Sequence, residues 1–180
     1  VSDALLVAVG VAGMAQLLGS SPTLAHYLTL GGALFLLAYG VGGVLGAEIA
    51  GRVAERSVFG GVVAGFSLMA VVLATFWLTS QWLWPALITL GLASLVATLL
   101  VVNLQLQLMH DAGPAQTLGA SLTHSALNIA NALGAWVGGL VIVAGLGYRA
   151  PSLAGAGLAL IGLACLGVYW VVERRRVSAG

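Results

Sequence analysis

The sequence predicts an all-α polytopic membrane protein of six transmembrane helices. Three observations carry the prediction. Hydrophobic residues make up 61% of the chain and charged residues 6%, where soluble domains hold roughly 45–50% and about 25%. The mean hydropathy is +1.10. The few charges leave four uncharged runs, Ala4–Ala47, Ser57–His110, Ala112–Tyr148 and Ala150–Val172. A spanning helix uses about 20 apolar residues, so six spans with short loops occupy the whole chain as one transmembrane domain, residues 1–180. Strands are excluded because the apolar runs are too long and alternate too weakly for a barrel.

The first three runs exceed one crossing, and each holds an interruption. The first expected span, 4–18, is short and ends at "GSSPTLAH", Gly19–His26. Spans at 28–50 and 58–78 flank the charged stretch Glu48–Arg56. "TSQWLWP", Thr79–Pro85, separates 58–78 from 86–109. Pro114 precedes the span at 117–140, and Pro151 opens the last, 152–172. All four prolines thus fall in connections or first turns, where a missing N–H breaks no helical bond. The chain opens on Val1 with Asp3 and no Lys or Arg nearby, which is no secretory signal peptide. Val1 in place of Met fits processing or a piece of a longer protein.

With six spans both ends share one side, and that side holds Arg52, Arg56 and the tail "ERRR", Glu173–Arg176. The other side holds Arg149 alone. Cytoplasmic loops collect Lys and Arg, so both termini are expected in the cytoplasm. Trp82, Trp84 and Tyr148 fall near the outer interface, and Tyr169 and Trp170 near the inner one, as aromatic belts do.

Composition also excludes functions. The lipid bilayer is the expected surrounding, and no basic face exists for nucleic acid. Cys165 is alone, which precludes an internal disulfide, and its apolar run reads as helix core. No metal-ligand spacing, phosphate loop, GxSxG or HExxH occurs, so no metal, no cofactor and no enzyme is expected. Asp3, Glu48, Glu55, Asp111 and Glu173 lie at expected helix ends. None is placed mid-membrane, where coupled pumps carry an ionisable group.

The exception to the apolar pattern is "SLTHSALNIANALGAW", Ser121–Trp136. At about 100° per residue, Ser121, His124, Ser125, Asn128 and Asn131 share roughly a third of the helix circumference. An unsatisfied amide in hydrocarbon costs several kcal/mol, so this stripe faces protein or water. Two readings stand: interhelical hydrogen bonds, or the wall of a substrate cavity near mid-membrane. Gln16, Tyr39, Asn103, Gln105 and Gln107 are the other polar candidates. The pairs Gly42-xxx-Gly46 and Gly134-xxx-Gly138 allow close helix contact.

Two stretches resemble a known family. "GVGGVLGAEIAGRVAERS", Gly40–Ser57, resembles the loop between the eighth and ninth spans of bacterial major facilitator superfamily transporters. The core of that loop, roughly G-R-L-A-D-R in the family, reads Gly51-Arg52-Val53-Ala54-Glu55-Arg56 here. "AQTLGASLTHSALNIANALGAWVGGLVIVAGLGYRAP", Ala115–Pro151, resembles the eleventh span of the drug:proton antiporter and sugar-efflux branch. The resemblance implies the C-terminal six-helix half of a twelve-helix fold, with an N-terminal half as partner and a small-molecule substrate between them. It places the first, second, fourth and fifth spans at the cavity, with Asn128, Asn131, His124, Ser121 and Gln16 on its wall. It makes Gly51, Arg52, Glu55 and Arg56 a cytoplasmic gating loop, with Glu55 where the family carries Asp. The implied function is secondary transport, proton-coupled efflux of a drug, sugar or metabolite by alternating access. The alternative is a standalone six-helix protein, self-paired as a half-transporter or not a transporter at all.

Overall fold

The computed structural model describes residues 22–179. Five long helices follow one another: α1 (Pro22–Arg56), α2 (Val58–Thr79), α3 (Leu83–Asp111), α4 (Gln116–Val143) and α5 (Ala150–Ala179). A single turn of 3-10 helix, Gly113–Ala115, joins α3 to α4. No strand occurs among the described residues. All five helices are long and apolar enough to cross a bilayer. The protein is therefore an all-α polytopic membrane protein. The expected first span, 4–18, and Gln16 with it, lie outside the described residues.

The described helices run longer than the expected spans, because turns continue past the hydrocarbon. Residues 22–26, expected in a connection, are helical. Pro85 is the third residue of α3 and Pro151 the second of α5, positions whose N–H has no intrahelical partner anyway. One residue, Ser57, separates α1 from α2, and its Oγ accepts from the Gly60 N–H at 3.0 Å. Gly145 and Gly147 take φ of 78° and 84°, the left-handed turn that ends α4 and that side chains resist.

The described residues fall into two units that meet within α1, one ending at Leu37 and one beginning at Ala38. In the first, Thr29 Oγ1 donates to the Ala25 carbonyl at 2.8 Å, and most side chains are exposed. The second unit holds the core. There α3 is central and packs on α1, α2 and α4.

Glycine sets these contacts. A Cβ on Gly42 would overlap the Gly91 carbonyl, and one on Gly46 the Leu95 carbonyl, so α1 and α3 run parallel with their backbones touching. Ser94 Oγ donates to the Tyr39 carbonyl across the same seam at 2.7 Å. Gly61 abuts Asn103, and Gly65 abuts Leu100, which sets α2 antiparallel to α3. Thr79 and Thr89 share a 3.0 Å hydrogen bond near the other end of that pair. Gly162 meets the Phe66 ring and Gly155 meets Leu73, joining α2 to α5. Gly119 meets the Leu108 carbonyl, joining α4 to α3.

Gly42-xxx-Gly46 is thus a packing seam. Gly134-xxx-Gly138 is not one among the described residues, since a Cβ on Gly134 would meet nothing within 4 Å. Cys165, expected in the core, is exposed. In lipid an apolar run carries no preference for the protein interior, so hydrophobicity did not imply burial.

Gly42→Ala is expected to destabilise the bundle by about 1–3 kcal/mol through overpacking. Gly157→Ala, on α5 where a Cβ meets open space, should hold stability or raise it by up to about 1 kcal/mol, since a helix interior favours Ala over Gly. Unfolding in detergent, followed by circular dichroism, compares the two variants.

Candidate functional site: the polar face of the fourth helix

Helix α4 presents three faces. The first is packed: Gly119 and Thr123 are buried, and Leu127, Val137, Gly138 and Val141 are half-buried. Thr123 satisfies its hydroxyl inside the helix, donating to the Gly119 carbonyl at 3.0 Å. The second face is exposed and apolar, with Leu122, Ile129, Leu133, Trp136 and Leu140. The third is exposed and polar, with Ser121, His124, Ser125, Asn128 and Asn131. Ala132, Ala135 and Gly139 extend it with small residues. At about 100° per residue the centre of the polar face lies roughly opposite the packed one.

The polar groups on this face differ in what they still need. Ser121 Oγ donates to the Leu118 carbonyl at 2.9 Å, and Ser125 Oγ to the Ser121 carbonyl at 3.2 Å. Both hydroxyls therefore have partners within the helix. The amides of Asn128 and Asn131 and the imidazole of His124 have no hydrogen-bond partner among the described residues. Of the two readings open for the stripe, hydrogen bonding to another described helix is the one these side chains do not adopt. Such a face in a spanning helix needs water or another polar surface against it.

The predicted gating residues lie at the C-terminal end of α1. Arg52 Nη2 and Glu48 Oε1 form an i,i+4 ion pair at 2.9 Å, with side chains 73% and 65% exposed. Glu55 and Arg56 are exposed and have no ion-pair partner among the described residues. A Cβ on Gly51 would meet nothing within 4 Å. The loop stands on a three-helix junction that the sequence did not announce. A Cβ on Gly61 of α2 would meet both Val53 of α1 and Asn103 of α3. Asn103 is fully buried; its Nδ2 donates to the Leu99 carbonyl at 2.9 Å, and its Oδ1 has no partner among the described residues.

A second tie at this end joins α5 to α3, where Tyr169 Oη donates to Asp111 Oδ2 at 3.0 Å. Gln107 Nε2 donates to the other oxygen of Asp111 at 2.9 Å. The two residues of the α3–α5 pair are 58 positions apart, and no local pattern links them. Among the described residues no group of three or more His, Cys, Asp or Glu could hold a metal ion.

Fold and site together define a polytopic α-helical membrane protein in which the polar face of α4 is unpacked among the described residues. The chain is 34% identical to the "Inner membrane transport protein YdhP" of Escherichia coli (strain K12) over 140 residues, 78% of this chain and 36% of the relative. The protein of that name from Escherichia coli O157:H7 matches over the same shares. The "Uncharacterized MFS-type transporter YfhI" of Bacillus subtilis (strain 168) is 33% identical over 138 residues, 67% of this chain and 31% of the relative. The chain spans about a third of the length of the curated relatives it matches. No family model matches it, and no solved structure does. The chain belongs to the major facilitator superfamily.

Two substitutions separate the exposed pair from the buried junction. Arg52→Gln should cost less than about 1 kcal/mol, as expected for an exposed ion pair. Asn103→Leu keeps the side chain's size and removes an unpartnered buried oxygen, so stability should hold or rise. Unfolding of the Asn103→Leu protein at markedly lower temperature would mean that the oxygen has a partner in the membrane.

Proposed function

We propose that the chain is the C-terminal half of a secondary active transporter of the bacterial inner membrane. It works by alternating access with an N-terminal six-helix half as its partner. The observation that carries the reading is the polar face of α4, exposed opposite its packed side in a helix that must otherwise face lipid. The transport protein names of the relatives support it, as does the resemblance of Gly51–Arg56 to the family's gating loop.

In this mechanism the polar face of α4 lines the cavity between halves. Asn128 and Asn131 offer donors and acceptors to a substrate or to cavity water, and His124 and Ser121 continue the wall. Amides among small aliphatic residues suit an uncharged polar or amphipathic molecule, the class to which drugs, sugars and metabolites belong. Glu55 and Arg56 clamp the cytoplasmic helix ends in one state and release them in the other. The direction is efflux and the coupling ion is the proton. The acids among the described residues, Glu48, Glu55, Asp111 and Glu173, lie toward the C-terminal ends of α1, α3 and α5, and in this reading the coupling carboxylate is carried by the partner half. Both termini of the segment are cytoplasmic.

Replacing Asn128 and Asn131 together with Leu should lower transport by about tenfold or more, at ~0.5–1.5 kcal/mol for each lost hydrogen bond. Membrane insertion should be unaffected. Uptake or efflux in vesicles carrying the whole transporter tests it, and undiminished transport would return both residues to a structural role.

A further inference from the structure

We infer that a groove between α2 and α5 binds one acyl chain of an anionic phospholipid, with Arg174 and Arg175 holding its headgroup. Phe59 and Val63 of α2 and Leu163, Leu166, Gly167 and Trp170 of α5 line the groove, whose volume is about 290 Å³. The two helices touch at Gly162 on Phe66, and a Cβ on Gly167 would meet nothing within 4 Å. The Phe59 and Tyr169 rings, with centroids 6.2 Å apart, bridge α2 and α5 at the same end.

Every lining side chain is apolar. A sugar or a peptide would leave its polar groups unpaired there, whereas a hydrocarbon chain would not. All six lining residues lie within the candidate membrane spans Val58–Thr79 and Ala150–Val172, so lipid is the occupant at hand.

Charge complementarity selects the headgroup. The Arg174 guanidinium lies 3.7 Å from the centroid of the Trp170 ring, one helical turn further along. Trp170 thus forms part of the groove wall and also seats the arginine. Stacking engages the face of the guanidinium and leaves its in-plane donors for a phosphate. Arg175 follows it, exposed. Basic pockets between membrane helices take anionic headgroups on this principle.

The test uses the whole transporter with Trp170 as its one tryptophan, Trp77, Trp82, Trp84, Trp136 and any tryptophan of the partner half being replaced by Phe. It is reconstituted in phosphatidylcholine bilayers containing a small fraction of phosphatidylglycerol brominated on its acyl chains. The comparison is the same fraction of brominated phosphatidylcholine. Phosphatidylglycerol should quench Trp170 several-fold more per molecule, about fivefold for each effective arginine charge. Both Arg174→Gln/Arg175→Gln and Gly167→Leu, which fills the open floor, should abolish the excess. Equal quenching by the two lipids overturns the proposal, as does an excess that survives the arginine pair. An excess lost with the arginines but kept in Gly167→Leu removes the acyl chain from the groove and overturns it too. Native mass spectrometry of the wild-type protein gives the same comparison without tryptophan replacement. Preferential retention of phosphatidylglycerol, lost in Arg174→Gln/Arg175→Gln, is expected, and no preference refutes the site.

Discussion

Inside a bilayer an apolar side chain gains nothing by leaving lipid for protein, so helices must be held by something other than the hydrophobic effect. Here they are held by close backbone approach. Gly42 and Gly46 lie against the Gly91 and Leu95 carbonyls, Gly65 against Leu100, Gly119 against the Leu108 carbonyl, and Gly162 against Phe66. Each glycine brings two helices near enough for dispersion and for the occasional hydrogen bond, such as Ser94 to the Tyr39 carbonyl. Because α3 takes part in three of these seams, the positions of α1, α2 and α4 all follow from it. Among the described residues α4 packs along one face, against α3 and α5, with its polar face turned away from that packing.

That asymmetry connects the fold to the proposed transport. A helix packed on one face and polar on the opposite one can border a cavity without losing its own support. The serines on that face satisfy themselves within the helix, whereas the amides of Asn128 and Asn131 project their hydrogen-bonding capacity outward. At the end of the bundle where α1 turns into α2, exposed Glu55 and Arg56 are held over a tightly packed junction of Val53, Gly61 and Asn103. In the proposed mechanism this exposed pair is the gate and the packed junction is the base on which it stands. The unpartnered Asn103 oxygen places a polar cost inside that base.

Much of this was legible in the sequence, for physical reasons that also mark where reading fails. Charge excludes itself from hydrocarbon, so uncharged runs and prolines outline the helices. The polar face of α4 stood out because imidazole and amides at helical spacing are rare against an apolar background. Gly42 and Gly46 read as a close-contact pair, but nothing local names Gly91 and Leu95 as their partners. Gly134 and Gly138 show the same spacing without the same contact, because spacing permits approach and does not compel it. The misreading of Cys165 has one cause: lipid-facing and core-facing side chains are equally apolar, so the amphipathic signal that sorts soluble helices is missing. Asn103 was one polar candidate among several, and only tertiary packing distinguishes it.

The central claim is that one face of α4 meets water while its apolar neighbour meets lipid. The direct measurement is a spin-label scan through residues 121–136 in the membrane-embedded protein, reading collision with oxygen and with a water-soluble paramagnetic reagent at each site. Water access should peak at Ser121, His124, Asn128, Asn131 and Ala135, and oxygen access at Leu122, Ile129, Leu133 and Trp136. The two patterns should share the helical period and lie about 100° out of phase. Oxygen access in phase at Asn128 and Asn131 would put the amides in lipid and contradict the cavity. Neither reagent reaching them would mean that another protein surface buries the face permanently.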